Sequence, residues 1–295
     1  MITILNYTYP LFRPPAEAES LIFQITNGCS FNQCKFCGMY KKKQFCINPI
    51  EGIFQDMDKI PAFYKSQVRK IFLADGDALV CGHSMLMEIS DRIIEDFPKL
   101  RRIAIYASPG NINKLSEKKL SELKNNKISL FYIGLESGHD PLLDFIKKGN
   151  TACEFVQAME KLNSQSIKTS VTAILGLGGK KFTKFHARDT ARVINKTSPS
   201  FFSLLTLIKG GNENYIRSLE LLNRYEILEE VRDVIKGIDC KTIFRTNHSS
   251  NFVDLGGSLP KDKNLILRKV EHILSKNKNE TFFKEIPQHL GEASY

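Results

Sequence analysis

At 295 residues with a formal net charge of +10, the chain is long enough for one α/β barrel and a small extension. Its 42% hydrophobic and 25% charged residues exclude a disordered or fibrous chain, and no apolar run reaches the roughly 18 residues that span a bilayer. The positive balance favours an acidic ligand, although no basic stretch interleaved with aromatics marks an RNA-binding module.

Residues 1–19 carry three prolines and read as an irregular N-terminal segment. Leu21, Phe23 and Ile25 then alternate as a half-buried strand does. This strand runs into Cys29, Cys34 and Cys37, three thiols within nine residues, on a loop that also bears Phe31, Phe36 and Tyr40. Soft thiolates at such spacing favour zinc, copper or iron–sulfur over magnesium or calcium. A closed zinc site needs four ligands and a complete cubane needs four cysteines. Three thiolates leave one iron of a four-iron cluster for a ligand from outside the protein.

From there apolar runs alternate with helix-patterned segments. A strand over 70–75 is followed by a helix over 84–97. A strand over 102–107 precedes a helix over 111–125, whose Leu115, Leu120 and Leu123 recur at helical spacing. The strand over 128–135 leads to helical segments over 141–146 and 152–165. A strand over 168–175 precedes a helix over 184–196 that ends before Pro199, and 200–208 is the last strong strand. With the strand before the cysteines these make six βα units, an alternation that builds a parallel sheet. The predicted fold is an α/β partial (β/α)6 TIM-type barrel over 20–210. Beyond Gly210-Gly211 the pattern changes to helices over 216–235 and 264–276, joined by 242–251. Residues 211–295 are therefore expected to form a mainly helical C-terminal extension that holds the substrate.

Barrel enzymes carry their chemistry on the loops after the strands. Asp75-Gly76-Asp77 follows the second strand, Ser108 the third, Glu136 the fourth and Gly176 the fifth. The cysteine loop, together with Ile133-Gly134-Leu135-Glu136-Ser137-Gly138, resembles the radical S-adenosylmethionine (SAM) superfamily. There, three cysteines after the first strand bind a [4Fe-4S] cluster, and SAM chelates the fourth iron through its amino and carboxylate groups. Two residues separate the last pair of cysteines with an aromatic before the final one, and Phe36 fits that place. Most members put three residues between the first pair, where this chain has Ser30 through Gln33. Residues 133–138, followed by Leu142, Leu143 and Lys147-Lys148-Gly149, are similar to the segment shared by the elongator-acetyltransferase, tRNA methylthiotransferase and oxygen-independent coproporphyrinogen oxidase-like members.

The resemblance implies a role for each of these positions. Asp75, Gly76 and Asp77 would accept from the methionyl amine, and Ser108 would contact the ribose or carboxylate. Glu136 would accept two hydrogen bonds from the ribose hydroxyls, and the glycine-rich 175–179, with Gly176, would lie near the adenine. Arg188 or Arg192 would pair with the methionyl carboxylate. In the extension Arg245, Asn247, His248 and Asn251 form a dense polar group suited to substrate binding or proton donation. His83, His139, His186, His272 and His289 show no mutual ligand spacing and read as structural or surface groups.

The implied reaction is reductive cleavage of SAM to a 5′-deoxyadenosyl radical, which abstracts hydrogen from a small-molecule or RNA substrate with electrons from a donor such as flavodoxin or ferredoxin. No cobalamin-binding domain or second cysteine cluster is recognisable, which turns the expectation away from cobalamin-dependent methylation and sulfur insertion. Two other readings of the thiols stay open. A ferredoxin-like electron carrier would recruit Cys46 or Cys81 as fourth ligand, and a zinc-stabilised nucleic-acid-binding protein would close its site with Cys46 or His83. Seven cysteines, an odd number, and no charged leader before an apolar stretch lead to the expectation of a soluble cytoplasmic protein.

Overall fold

The computed structural model describes residues 5–276. His289 and the outer ends of the two terminal segments, 1–4 and 277–295, lie outside the described residues. In chain order the elements are β1 (Leu21–Gln24), β2 (Thr26–Asn27), β3 (Cys46–Ile47), α1 (Ile50–Asp58), α2 (Ala62–Lys65), β4 (Lys70–Ala74) and α3 (Gly82–Asp96). Then come β5 (Arg102–Tyr106), α4 (Pro109–Lys114), α5 (Glu117–Asn125), β6 (Ile128–Glu136), α6 (Asp140–Phe145), α7 (Ala152–Ser164), β7 (Lys168–Leu175) and α8 (Gly179–Thr197). The chain continues through β8 (Phe201–Thr206), α9 (Glu213–Arg217), α10 (Arg224–Gly237), β9 (Thr242–Arg245), β10 (Gly256–Leu259) and α11 (Lys263–Ser275).

Eight strands form one sheet in the order β1-β4-β5-β6-β7-β8-β9-β10. All pairs are parallel except β9 with β10. The six expected parallel strands are present. The segment over 242–251, read as a connector between helices, supplies a seventh parallel strand, because α10 acts as a crossover helix that returns the chain in the same direction. Four residues, Thr242-Ile-Phe-Arg245, are too few and too mixed to announce a strand by periodicity. The extension thus continues the barrel wall, and α10 packs along α8.

Helix boundaries differ from the expectation where a polar cap interrupts an apolar pattern. The helix expected over 111–125 is two, because Ser116 accepts a hydrogen bond from Lys119 N at 3.3 Å and starts α5 afresh. The one expected over 216–235 is likewise two, α10 beginning at a capping box of Asn223 with Glu226.

The central parallel strands bury both faces. Outward residues such as Ile71, Ile105, Phe131, Val171, Phe202 and Phe244 join the helices in the main core. Inward residues Ile22, Phe72, Ala74, Ala104, Leu130 and Tyr132 form a second cluster inside the barrel, completed by Leu11 from the N-terminal segment. That segment also sends in Glu17, which is fully buried and accepts from Ser20 Oγ, Tyr132 OH and, at 2.8 Å, Arg102 Nη2. This cluster and the Glu17 brace fill the barrel interior below the loops that follow the strands. Among the described residues no helix is long and apolar enough to cross a membrane.

Candidate active site

The cysteine loop leaves the carboxyl end of β1 and is tied to the molecule from three sides. Below it, the Gly28 amide donates to Asp75 Oδ2 at 3.0 Å, and the Gly76 amide donates to Gly28 O at 3.1 Å. A Cβ at Gly76 would press on Cys29 Cβ at 3.0 Å, so this glycine lets the β4 loop pass under the first thiol. On the second side Lys35 N donates to Ile146 O at 2.9 Å. On the third, Asn212 Nδ2 donates to Phe36 O at 2.6 Å, and a Cβ at Gly38 would collide with the backbone of Gly210. The chain after β8 thereby reaches the loop after β1 across the barrel mouth.

Cys29, Cys34 and Cys37 are free and partly exposed, and they act on one another electrostatically. Burial pushes the Cys34 thiol up to about 11, against the pull of nearby Lys148. Burial also raises Cys37, although the Met39 amide donates to it. Among the described residues no three His, Cys, Asp or Glu side chains converge closely enough for a single metal ion. A four-iron cluster asks for less convergence, since each thiolate takes a different iron. The donor set fits that group: three soft thiols on one loop that act on one another, one ligand short of a complete cubane.

Glu136 ends β6 in the left-handed region, φ +62°, where the register with β7 slips between Gly134 and Glu136. This turn folds its carboxylate back over Gly134, where any Cβ would strike it. Lys148 Nζ sits 2.8 Å from Glu136 Oε1. Burial pulls the Lys148 ammonium down, but Glu136 and Cys34 outweigh it and its proton is held more tightly than in an ordinary lysine. The loop that follows Glu136 is pinned from α8: Gly138 N donates to Thr190 Oγ1 at 3.0 Å, and Ser137 Oγ lies 2.9 Å from His186 Nδ1.

The structure gives several of the expected site residues protein partners of their own. Asp75 is fully buried, and its Oδ2 accepts from Lys43 Nζ at 2.6 Å, Gln24 Nε2 at 3.0 Å and the Gly28 amide. That oxygen supports the cysteine loop, while Asp75 Oδ1 has no protein partner. Arg188 is on the exposed face of α8, bound to Asp189 Oδ1 at 2.9 Å; the cation placed beside the cysteines is Lys148. Asn251 is buried and spends its amide on Leu204 O, Thr246 O and the Thr206 hydroxyl. His248 accepts from Ser250 N through Nδ1 within the same turn. Those two side chains hold the turn after β9, Asn247 is exposed, and Arg245 remains as the inward charged group of the set.

Asp77 and Ser108 are brought together. Burial raises the Asp77 carboxyl, while the Ser108 hydroxyl and Asn111 donate to it, Asn111 Nδ2 at 2.8 Å. Four buried polar atoms around this end of the barrel have no protein partner: Asn27 Oδ1, Tyr40 OH, Asp75 Oδ1 and Asp77 Oδ1. Buried polar atoms rarely go unsatisfied unless a ligand or water meets them.

Gly176 has φ +70° and donates its amide to Glu230 Oε2 at 2.6 Å, whose other oxygen accepts from Thr183 Oγ1 at 2.6 Å. Glu230, fully enclosed on α10, was not anticipated. Burial pushes its carboxyl from 4.5 up to about 7. A folded-state value above the unfolded one means that the stabilising contribution is complete below about pH 4.5 and is lost as pH rises through about 7. Wild type is expected to lose about 3 kcal/mol over that range relative to Glu230→Gln, at 1.36 kcal/mol per pH unit. Urea denaturation at a series of pH values checks this; equal pH slopes in the two proteins would refute it.

Lys148 and Lys43 were also missed, though both lie in visible basic runs. Neither run says which lysine turns inward, because each partner is distant in sequence.

The family model described as the radical SAM superfamily matches residues 23–194, over half of the chain. No curated protein matches it. Among solved structures, methylornithine synthase (PylB) superposes with a TM-score of 0.54 at 12% identity, covering 89% of this chain and 83% of that one. Coproporphyrinogen III oxidase (HemN) from Escherichia coli gives 0.54 at 14% identity, covering 74% of this chain and 51% of its own. The radical SAM methyltransferase TsrM from Kitasatospora setae gives 0.52 at 17% identity, with 63% and 34% covered. The chain thus spans about a third of TsrM and half of HemN, and at these identities the likeness is one of fold. The family match, with the three thiols at the carboxyl end of β1, shows that the chain belongs to the radical SAM superfamily.

Proposed function

We propose that this chain, an enzyme of the radical SAM superfamily, holds a [4Fe-4S] cluster on Cys29, Cys34 and Cys37 and uses SAM to remove a hydrogen atom from its substrate. The observation that carries this reading is the meeting of three free thiols with four partnerless buried polar atoms at one end of the barrel. When bound, the cluster supplies the one electron that splits SAM into methionine and a 5′-deoxyadenosyl radical.

The remaining work belongs to the protein. Cys34 and Cys37 must give up their protons when iron binds. Lys148 then offsets part of the thiolate charge and presents an ammonium to the methionyl carboxylate. Asp77, backed by Ser108, turns its free Oδ1 toward the methionyl amine, beside the Gly76 backbone. Glu136 keeps lone pairs for ribose hydroxyls beyond the one Lys148 occupies. Residues 175–179, fixed from behind by Glu230, offer backbone to the adenine. A one-electron donor such as flavodoxin or ferredoxin serves as reductant, and seven free cysteines suit the reducing cytoplasm.

Anaerobic reconstitution with iron and sulfide, followed by dithionite and SAM, is expected to yield 5′-deoxyadenosine by chromatography. A C29A/C34A/C37A variant should yield none. A brown protein that makes no product, and whose spectrum SAM leaves unchanged, would overturn the reading in favour of an electron carrier.

A further inference from the structure

The inner face of the sheet changes character with height. Its lower level is apolar and filled. One level up, the strands pair in a continuous row: Gly134 with Thr172, Thr172 with Ser203, Ser203 with Arg245. The neighbours of these residues along their strands, Val171, Ala173, Phe202, Leu204 and Phe244, belong to the outer core. Alternation therefore turns Thr172, Ser203 and Arg245 into the barrel, where all three are half-buried.

Charge balance singles out Arg245. Three carboxylates of the barrel interior are matched by cations, Glu17 with Arg102, Asp75 with Lys43 and Glu136 with Lys148, and Asp77 is held by Asn111 and Ser108. Arg245 lies over the Phe201 ring, 4.9 Å from its centroid, and pairs with no carboxylate among the described residues. Phe201 packs in turn on the inner cluster. The ring covers one face of the guanidinium and leaves its donor edge open, the geometry that binds a planar oxyanion through two hydrogen bonds.

We propose that Arg245, with Ser203 and Thr172 beside it, anchors a carboxylate or phosphate of a small substrate, and that the row toward Gly134 is the bed for the rest of it. The proposal rests on the radical SAM reading for its reaction. The row covers three strand spacings of about 4.8 Å, about 14 Å in all, between the anchor and the Glu136–Lys148 end of the site. The bridge from Gly210 to Gly38 across the mouth favours a small molecule over a polymer.

The test is thermal melting of the reconstituted protein with succinate or inorganic sulfate, against potassium chloride at equal ionic strength. Wild type and the outer-face control R188Q should be stabilised by the oxyanions beyond chloride. R245Q should lose that shift, its apparent Kd rising about tenfold or more as a charge-assisted bidentate contact goes, and R245K should recover part of it. The milder T172V should weaken the shift should R245Q fail to fold. An undiminished shift in R245Q, an undiminished shift in T172V where R245Q does not fold, or no oxyanion shift in wild type overturns the proposal. Substrate-independent 5′-deoxyadenosine formation is read on the same wild-type samples. Its absence from wild type would overturn the radical SAM reading instead, whatever the melts show.

Discussion

Replacing any one of Cys29, Cys34 and Cys37 by alanine is expected to leave a protein that retains no intact four-iron cluster and forms 5′-deoxyadenosine only at background. Cys46→Ala and Cys81→Ala should match wild type in visible absorbance, iron content and product. Each of the three loop thiols is partly exposed and acts electrostatically on the others, so losing one removes a third of the protein ligands. Cys81 is a desolvated thiol pushed up to about 12 by burial, the state of an inert core cysteine. Cys46 is exposed on β3 opposite Asn27, two residues from Cys29, and is the serious rival as a fourth ligand. A Cys46→Ala protein that lost its iron would therefore restore the ferredoxin-like or zinc readings.

What the sequence disclosed of the fold was what repeats locally. Runs such as Ile71-Phe-Leu-Ala74 and Ile128–Glu136 are buried on both faces, so their apolar content is visible without knowing their neighbours. The β9 strand was hidden because its four residues, Thr242-Ile-Phe-Arg245, make neither an apolar run nor a clean alternation. The same division holds in the site. Cysteine spacing is local and was read directly. The ion pair of Lys43 with Asp75 joins residues 32 apart, and the bond from Gly176 to Glu230 joins residues 54 apart; no local pattern encodes either. Asp75 can be read two ways for a physical reason. A carboxylate after a barrel strand suits ligand binding, and equally suits a buried brace, and only the position of Lys43 decides between them. His248 and Asn251 show the converse: polar density that suggests a site also serves to satisfy the backbone of a tight turn.

Lys43→Met is expected to destabilise the protein by about 3–5 kcal/mol, because removing one member of a buried pair strands the other. Asp75 has no exposure, and burial already raises its carboxyl against the opposing hydrogen bonds from Lys43, Gly28 and Gln24. Without the ammonium the group is raised further. The sign of the pH dependence follows: with a folded-state value above the unfolded one, stability is greatest below the usual carboxylate range and falls as pH rises through the folded value. The variant should therefore approach wild type in acid and fall away from it toward neutral pH. Lys43→Met/Asp75→Asn should recover much of the loss, since no buried charge remains. The damage should also reach the cofactor. Lys43 Nζ donates to Thr8 O at 2.8 Å and Pro10 O at 2.9 Å, and Asp75 holds the Gly28 amide next to Cys29. One ammonium thus joins the N-terminal segment, the β4 loop and the cysteine loop. Iron content after reconstitution should fall in Lys43→Met and return in the double variant. A stable single variant with full iron would refute this account of the pair as the brace of the cysteine loop.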